Sequence, residues 1–461
     1  MNTLYERLAA LLGPKGHITD PDQMAPFLAE WRGRAQGRTP FLALPHSTEE
    51  VSKLVAACAE AGAPITPQGG NTGLVAAQIP NGEVLLSLKR MNRIRSVDAL
   101  DDALTAEAGA VLADVHAAAA AQDRLFPLSL ASQGSATIGG LISTNAGGVH
   151  VVRYGMMRDL VLGIEAVLPD GRVLNGLKTL RKDNTGYDLK QLFIGAEGTL
   201  GVVTAASLKL FPRPGAHLVS LAATEDPTLA LALLHRVKRE TGALAAFELM
   251  NRESVEMTVK NVPNMRAPFE GARYLTLIEF ESAGAGAALR ETVEATLAQA
   301  IEAGEAQNAA IAESEAQAQS FWALRENMSA AHRPEGAQVN HDVSVPVSAV
   351  PRFLAQAHAA AEKLCPGVRV VAFGHMGDGN IHYTLLQPAA MAADAFPAAA
   401  LTDAVNALVL SLGGSISAVH GIGVSRRADF ERYKDRDAVA LMRAVKAAID
   451  PKRIMNPRAL V

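Results

Sequence analysis

The sequence predicts a globular protein of mixed helices and strands that is large enough for two or three domains. Its 461 residues can form several buried cores, and 49% of them are hydrophobic while 20% are charged, as in folded globular proteins. Stretches with apolar residues at helical spacing alternate with short apolar runs that glycine, proline or aspartate interrupt. This alternation indicates a fold to which both kinds of element contribute.

In the first half of the chain we predict two helices and several short strands. The helices cover residues 48–62 and 110–121, and the strands cover residues 64–66, 84–88, 160–168, 173–174 and 202–210. In the second half, strand-like runs at 272–280, 368–373 and 381–386 alternate with alanine-rich helices near 285–305, 351–364, 399–412 and 435–449. Two prolines and a glycine within residues 211–215 interrupt regular structure, so we place a domain boundary between residues 1–214 and 215–461.

The composition excludes several classes of protein. The formal net charge is -4 and no lysine or arginine run is present, so we expect no nucleic-acid partner. Cys58 and Cys365 are the only cysteines, which excludes a disulfide framework and a cysteine-rich metal centre. The sequence shows neither the apolar core of a secretory signal nor a run of ~20 apolar residues. We therefore expect a soluble, cytoplasmic protein.

Three glycine-rich clusters in the first half predict a long ligand that contains phosphate. They are Pro67-Gln68-Gly69-Gly70-Asn71-Thr72-Gly73-Leu74, then Ser135-Ala136-Thr137-Ile138-Gly139-Gly140 with Asn145-Ala146-Gly147-Gly148, and Gly195-Ala196-Glu197-Gly198-Thr199-Leu200-Gly201. Glycine lets backbone N–H groups surround a phosphate, and the hydroxyl and amide side chains add donors. A flavin dinucleotide would fit these three clusters, whereas a Rossmann site is disfavoured because no GxGxxG follows a strand. The alternative is three unrelated tight turns.

The order and separation of these motifs resemble those of the FAD-linked oxidases in the vanillyl-alcohol-oxidase-like superfamily. The likeness is to the branch that holds D-2-hydroxyglutarate dehydrogenase, D-lactate dehydrogenase and the glycolate oxidase flavin subunit. It also rests on Arg153-Tyr154-Gly155, on Phe373-Gly374-His375-Met376-Gly377-Asp378-Gly379-Asn380-Ile381-His382, and on His420-Gly421-Ile422-Gly423. The resemblance implies an α+β fold with a two-subdomain FAD-binding domain at 1–214. A cap domain with an antiparallel sheet would follow at 215–461, and its C-terminal segment would return to the flavin.

The resemblance also implies which residues bind FAD, which we expect to be held without a covalent bond. They are Pro67, Gln68, Gly69, Gly70, Asn71, Thr72, Gly73, Leu74, Ser135, Thr137, Gly139, Asn145, Gly147, Gly148, Glu197, Gly201, Val202 and Asn456. Attachment through His150, which lies near the second cluster, is the weaker alternative.

A histidine pair in the second half is the candidate metal site. Asp378-Gly379 predicts a two-residue hairpin turn that would pair His375 with His382, with their Cβ atoms ~5 Å apart on one face. The resemblance implies that both histidines bind zinc or manganese, and the alternative is a stacked pair without a metal. The third ligand that the resemblance implies is a glutamate, but this chain has Val419 there. The two imidazoles alone would make a weak metal site, unless substrate oxygens and water complete it.

Four further residues are candidate catalytic residues, and two of them, His420 and Arg325, match positions of the family. His420 would take the hydroxyl proton, since histidine titrates near neutral pH. Arg325 would clamp the substrate carboxylate, and the hydroxyl of Ser329, one turn later on the same helix face, would serve similarly. Asn380 would hydrogen-bond the substrate hydroxyl or carboxylate. The alternatives are a capping histidine, a surface arginine paired with a carboxylate, and turn chemistry at the asparagine.

The resemblance implies FAD-dependent oxidation of a D-2-hydroxy acid to the 2-oxo acid by hydride transfer to flavin N5. No NAD motif is visible, so we expect electrons to pass to an electron-transfer flavoprotein, a quinone or a cytochrome. Asn340 stands where close D-2-hydroxyglutarate relatives have lysine, which weakens the case for a dicarboxylate substrate. The alternatives are a non-catalytic flavin-binding subunit and a non-redox transferase similar to alkylglycerone-phosphate synthase. A homodimer is left open.

Overall fold

The computed structural model describes residues 2–461 and divides into two compact units. The first unit comprises the chain up to Gly148, Tyr154–Arg213 and Val419–Val461, and the second comprises Val149–Arg153 and Pro214–Ala418. The chain thus passes between units within the proline-containing stretch at 211–215, and its last segment belongs to the first unit.

Helices and short strands alternate along the chain. The helices are α1 (Asn2–Leu12), α2 (Pro21–Leu28), α3 (Thr48–Ala61), α4 (Leu112–Ala120), α5 (Ile138–Thr144), α6 (Val151–Tyr154), α7 (Met157–Leu160), α8 (Lys190–Phe193), α9 (Pro227–Thr241), α10 (Arg252–Asn261), α11 (Gly286–Glu302), α12 (Glu315–Glu326), α13 (Met328–Ala331), α14 (Val350–Leu364), α15 (Ala398–Ser411), α16 (Arg427–Tyr433) and α17 (Arg436–Ile449). The strands are β1 (His17–Ile18), β2 (Leu42–Ala43), β3 (Ile65–Gln68), β4 (Val84–Ser87), β5 (Ile94–Asp98), β6 (Ala103–Glu107), β7 (Arg124–Leu125), β8 (Val161–Val167), β9 (Val173–Gly176), β10 (Val202–Lys209), β11 (Phe211–Pro212), β12 (Ala216–Thr224), β13 (Leu244–Asn251), β14 (Tyr274–Ser282), β15 (Asn308–Ile311), β16 (Gln338–Ser344), β17 (Arg369–His375) and β18 (Asn380–Leu386).

The first unit has two larger sheets, each with its own hydrophobic core. One sheet has the strand order β1-β2-β4-β3, and the other, which is antiparallel, has the order β5-β6-β10-β8-β9. Helix α3 shows why the first core forms. The backbone N–H of Glu50 donates to the Ser47 hydroxyl at its start, and Gly62, with φ of 64°, ends it. Its apolar face, which includes Val51 and Leu54, is fully buried.

The C-terminal segment adds to the first unit through backbone and side-chain bonds. The N–H of Ile65 donates to the carbonyl oxygen of Ile454, and the N–H of Asn456 donates to the carbonyl oxygen of Ile65. Lys446 on α17 is buried, and its Nζ lies 2.6 Å from the carbonyl oxygen of Thr199 and from a carboxylate oxygen of Asp450. The last helix is therefore fixed next to the third glycine cluster.

The second unit is built on one antiparallel sheet of seven strands in the order β15-β12-β14-β13-β17-β18-β16. Side chains alternate between its two faces, as the pleat requires. Phe247 and Ile278 pack into one hydrophobic core, whereas Met250 and Leu277 pack into another. Helix α12 packs its apolar side chains into the second of these cores.

The predicted elements and the α+β class are confirmed. Every helix and strand predicted above corresponds to one of α3, α4, α11, α14, α15, α17, β3, β4, β8, β9, β10, β14, β17 and β18. None of the described helices is both long enough and apolar enough to cross a bilayer.

Candidate active site

The first two glycine clusters pack together in the first unit at points where no side chain fits. A Cβ atom added to Gly70 would lie 1.9 Å from the carbonyl oxygen of Ser135. One added to Gly69 would lie 2.4 Å from Oγ1 of Thr137. Both distances are far below van der Waals contact, so the two positions require glycine.

The loop after β3 offers a row of unused backbone donors. None of the N–H groups of residues 69–74 donates to a protein acceptor within the described part of the chain. Oγ1 of Thr137 is buried and likewise has no partner among the described residues. Gly198 of the third cluster packs on Pro67, where an added Cβ would lie 3.1 Å from Cγ. Unpaired backbone N–H groups in a glycine-rich loop can bind an anion, so this cradle fits the pyrophosphate of FAD.

Several predicted FAD residues support the cradle itself. Oδ1 of Asn145 accepts from the backbone N–H of Arg158 at 2.9 Å, and Nδ2 of Asn456 donates to the carbonyl oxygen of Glu197 at 2.7 Å. The other side chains that donate to backbone carbonyl groups in this way are Gln68 and Asn71. The remaining predicted residues are Thr72, Gly73 and Leu74 after β3, Ser135 and Gly139 around the start of α5, Gly147 and Gly148 after it, and Gly201 and Val202 at the start of β10. Their contact with FAD stays a prediction.

Glu197 fixes the loop that carries His420. Its buried carboxylate accepts from the backbone N–H groups of Ile422 and Gly423, both at 2.7 Å. Burial raises the pKa of Glu197, and these two bonds oppose the rise. A Cβ added to Gly421, whose φ is 81°, would lie 2.4 Å from Oε1 of Glu197. The glycines around His420 therefore let the loop fold over this carboxylate, a role that we did not predict for Glu197.

The hairpin of the second unit differs from the predicted one. His375 pairs with Asn380, and His382 pairs with Phe373, so the prediction that the two histidines face each other directly was wrong. The connection has four residues, 376–379, because the N–H of Gly379 donates to the carbonyl oxygen of His375 at 3.0 Å. Gly379 closes this turn with φ of 85°. The imidazoles remain diagonal neighbours on one face, with their ring centres 5.5 Å apart.

The strand register brings charged side chains from four strands to that same face. One row across the sheet contains Glu248, His375 and Asn380, and the next row contains Phe373, His382 and Asp342. With Arg325 of α12, which ion-pairs with Glu248, the polar members form what we call the polar cluster. Its members are Glu248, Arg325, Asp342, His375, Asn380 and His382.

Glu248 joins the predicted carboxylate clamp to the histidine pair. It is fully buried, and its two carboxylate oxygens lie 2.5 Å from Nε of Arg325 and 2.5 Å from Nδ1 of His375. Burial alone would raise the pKa of Glu248, but these two cationic neighbours lower it to about 2. Burial likewise favours neutral His375, but Glu248 outweighs this and raises the pKa of His375. The guanidinium also lies over the ring of Phe373, with Cζ 4.7 Å from its centre.

The other half of the polar cluster consists of His382, Asp342 and Asn380. Nδ1 of His382 lies 3.4 Å from Oδ1 of Asp342, yet burial lowers the pKa of His382 despite this carboxylate. Nδ2 of Asn380 donates to the same Asp342 oxygen at 2.9 Å and to the carbonyl oxygen of Val343 at 3.0 Å. Oδ1 of Asn380 is buried without a partner among the described residues. It is therefore a ready acceptor for a hydroxyl group.

Ser329 does not lie on the helix that carries Arg325, so the prediction that they share one helix face was wrong. The helix that we expected to carry both Arg325 and Ser329 ends at Glu326, and Ser329 lies in the separate helix α13. Ser329 is exposed whereas Arg325 is buried, so the two do not share one helix face. Asn340 lies two residues before Asp342 on β16, and its Oδ1 accepts from the hydroxyl of Thr384 at 2.9 Å.

The histidine pair does not fit a resident metal without further ligands. The Nδ1 atoms of His375 and His382 face carboxylates, which is the orientation that metal-ligating histidines adopt. Among the described residues, however, these two belong to no group of three or more converging ligand atoms. The side chain of Val419, which stands where the glutamate was expected, is aliphatic and cannot bind a metal.

Sequence reasoning missed Glu248 and Asp342. Glu248 is the only charged residue in β13, whose eight residues are all buried. A lone glutamate in an otherwise apolar run could have indicated a buried ion pair. Asp342 directly follows His341, and nothing in its local pattern distinguishes it from a surface aspartate.

The chain matches two protein-family models. Residues 39–176 match the model described as "FAD binding domain", and residues 213–460 match "FAD linked oxidases, C-terminal domain". Together with the glycine cradle, these matches define a flavin-dependent oxidoreductase. The chain belongs to the family of FAD-linked oxidases, as the resemblance implied.

The names of similar proteins agree with this family. The chain is similar to D-2-hydroxyglutarate dehydrogenase of Rattus norvegicus, with 37% identity over 95% of this chain and 81% of the relative. It is also similar to D-2-hydroxyglutarate dehydrogenase of Stutzerimonas stutzeri, with 35% identity over 98% of both chains. Among solved structures, alkyldihydroxyacetonephosphate synthase matches with a TM-score of 0.73 and 19% identity, over 99% of this chain and 85% of the synthase. That last likeness concerns the fold alone.

Proposed function

We propose that this flavoenzyme oxidises a D-2-hydroxy acid to the corresponding 2-oxo acid and passes the electrons to an acceptor other than NAD. The similar proteins named D-2-hydroxyglutarate dehydrogenase support this substrate class. The observation that carries it is the buried guanidinium of Arg325, which a carboxylate and an aromatic ring hold in place.

Arg325 supplies the binding site for the substrate carboxylate. Glu248 occupies Nε, and no hydrogen bond within the described residues uses either Nη atom. The Nη groups can therefore donate to both oxygens of a substrate carboxylate in bidentate geometry. Because Glu248 and Phe373 already fix the guanidinium, binding loses little side-chain entropy.

The hydroxyl group of the substrate needs an acceptor and then a base. Oδ1 of Asn380, which is buried and has no partner in the described part of the chain, orients the hydroxyl hydrogen. We assign removal of this proton to His420, whose loop Glu197 fixes. Bound FAD supplies flavin N5 as the acceptor of the hydride from the carbon that carries the hydroxyl. The alcohol thus loses one hydride and one proton and becomes a ketone.

No step of this proposal depends on a metal. A zinc or manganese ion at His375 and His382 would have two protein ligands and would need substrate oxygens and water for the rest. Arg325 and Asn380 already provide contacts for the carboxylate and the hydroxyl.

Anaerobic flavin reduction tests the proposed function. Purified, FAD-loaded protein is mixed without oxygen with D-lactate, D-2-hydroxyglutarate, D-malate and their L-enantiomers. We expect at least one D-acid to bleach the flavin absorbance and to yield about one 2-oxo acid per flavin, which would exclude a silent subunit and a transferase. A flavin that stays oxidised with every acid would contradict the proposal. Reoxidation by an electron-transfer flavoprotein, a quinone analogue or a cytochrome then distinguishes the acceptors.

Variants of two residues test the assigned roles. His420→Ala should keep its FAD and bind substrate but lose about 10²–10⁴-fold in the rate of flavin reduction. Arg325→Lys should mainly raise KM, because a lysine cannot form the bidentate pair. Unchanged reduction by His420→Ala would remove the histidine from the mechanism. His235→Ala, which changes an exposed histidine on α9, is the control.

A further inference from the structure

A second group of histidines and carboxylates lies on the same face of the seven-stranded sheet as the polar cluster. Glu248 pairs with Leu277, so Glu279 and Glu281, two and four residues further along β14, share its face. His217 on β12 pairs with Glu281. With His150 they form what we call the histidine–glutamate cluster, and none of its members has a role in the proposed oxidation.

The cluster is compact and largely shielded from solvent. Nε2 of His150 lies 3.1 Å from one carboxylate oxygen of Glu279, and Nε2 of His217 lies 2.7 Å from the other. One ligand atom each from His150, Glu279 and Glu281 lies within 4.8 Å of the other two. The side chains of the two glutamates are only 7% and 8% exposed. Two buried carboxylates at such separation require compensating positive charge.

We infer that His150, Glu279 and Glu281 bind a divalent transition metal, with zinc as the best match to one imidazole and two carboxylates. Ligand atoms on tetrahedral zinc lie about 3.4 Å apart, so small side-chain rotations bring these three onto one ion. Water or a fourth side chain completes the shell. His217 is a positioning residue, because its bond to Glu279 orients that carboxylate, as hydrogen-bond partners of metal ligands commonly do.

The charge balance supports a cation of this valence. Arg153 brings a positive side chain to the cluster, with Nε 3.7 Å from Oε2 of Glu281. Glu279 raises the pKa of His217 through their hydrogen bond, which favours the charged imidazole. With both histidines neutral, two glutamates and one arginine leave one net negative charge. A divalent ion reverses this to one net positive charge. The ion would fix residues 149–153 to strands β12 and β14, so its role is structural.

Metal analysis of the full-length, FAD-loaded protein tests this site without any turnover assay. The protein is stripped with a chelator, dialysed against zinc and passed through a desalting column before zinc is measured per chain. To remove any contribution from the other histidine pair, the same measurement is made in the His375→Ala/His382→Ala background. We expect about one tightly held zinc per chain in that background, and a rise of several degrees in the unfolding midpoint with zinc.

Two variants in the same background decide the ligand assignment. Both His150→Ala and Glu281→Gln should retain less than about a tenth of the zinc, whereas the exposed-histidine control His235→Ala should retain all of it. Far-UV circular dichroism and bound FAD show that the variants fold. Glu281→Gln preserves the shape of the side chain, so this variant tests the assignment even if His150→Ala does not fold. Absence of zinc from the background protein, or full zinc in both folded variants, would overturn the inference whether or not the enzyme oxidises hydroxy acids.

Discussion

The two units form their candidate binding sites from different chemical groups, backbone in the first and side chains in the second. In the first unit the site is made of backbone. The N–H groups of residues 69–74 have no acceptor within residues 2–461, and glycines pack against Ser135 and Thr137. In the second unit the polar cluster is made of side chains that four strands and one helix bring together. A backbone site tolerates little added volume, whereas a side-chain site depends on each buried charge keeping its partner. The following predictions test that difference.

Gly70→Ala should have the largest effect. The added methyl group would lie 1.9 Å from the carbonyl oxygen of Ser135, so backbone must move, at a cost of about 3 kcal/mol or more. We expect purified protein with almost no bound FAD, measured as flavin absorbance per chain. Gly134→Ala is the matched control, since a Cβ there meets nothing within 4 Å. Normal FAD content in Gly70→Ala would show that the cradle is not as rigid as argued.

Glu248→Gln should damage the second unit and leave the first intact. Removing the carboxylate leaves Arg325 without its buried ion-pair partner, which should lower the free energy of unfolding by about 3 kcal/mol. We expect kcat/KM for the hydroxy acid to fall about 100-fold, mostly through KM, with full FAD content. Glu326→Gln, at an exposed neighbouring position, is the control. Equal loss of FAD and activity would mean that the two sites are not separable.

Asp378→Asn should change how stability depends on pH. Burial raises the pKa of Asp378 from 3.8 to about 6, so the folded state keeps a proton that the unfolded state has already lost. Stability from this group therefore falls as pH rises from about 4 to about 6, and above that window the penalty is about 1–3 kcal/mol. Asparagine removes the penalty and can still accept from the N–H of Asn380. The variant should be more stable than the parent at about pH 8 and equal at about pH 4 in urea titrations. The same difference at both pH values would contradict this.

Asn340→Lys should have the smallest effect and concerns substrate choice. Asn340 is exposed and shares its face of β16 with Asp342, so a lysine there adds a cation beside the polar cluster without burying it. We expect kcat/KM for D-2-hydroxyglutarate relative to D-lactate to rise a few-fold, as an exposed ion pair of up to about 1 kcal/mol allows. Asn340→Gln, which adds length without charge, should leave the ratio unchanged.

The backbone site was the easier of the two to predict from sequence. Where a Cβ atom would collide, as at Gly69 and Gly70, the restriction appears in the sequence as a glycine. The side-chain site depends on strand register. The turn after His375 holds four residues instead of two, and the Asp378-Gly379 pattern does not distinguish these cases.

The carboxylates that hold the site were harder still to predict. Glu248 contacts Arg325 and His375, which lie 77 and 127 residues further along the chain. Such partners become visible only when the strand order is known, because local patterns carry no information on which strands are neighbours. The same holds for Glu197, which contacts the His420 loop over more than 200 residues.

The first unit is assembled from segments that are synthesised far apart in time. Ile65 forms backbone hydrogen bonds with Ile454 and Asn456. The segment around Ile65 is made early, and it can bind the C-terminal segment only after the whole second unit has been synthesised. Until then the edge of β3 and the pocket for Lys446 stay open to solvent. Flavin incorporation is therefore expected to be a late, post-translational event, and a nascent chain stalled at residue 418 should not capture the cofactor.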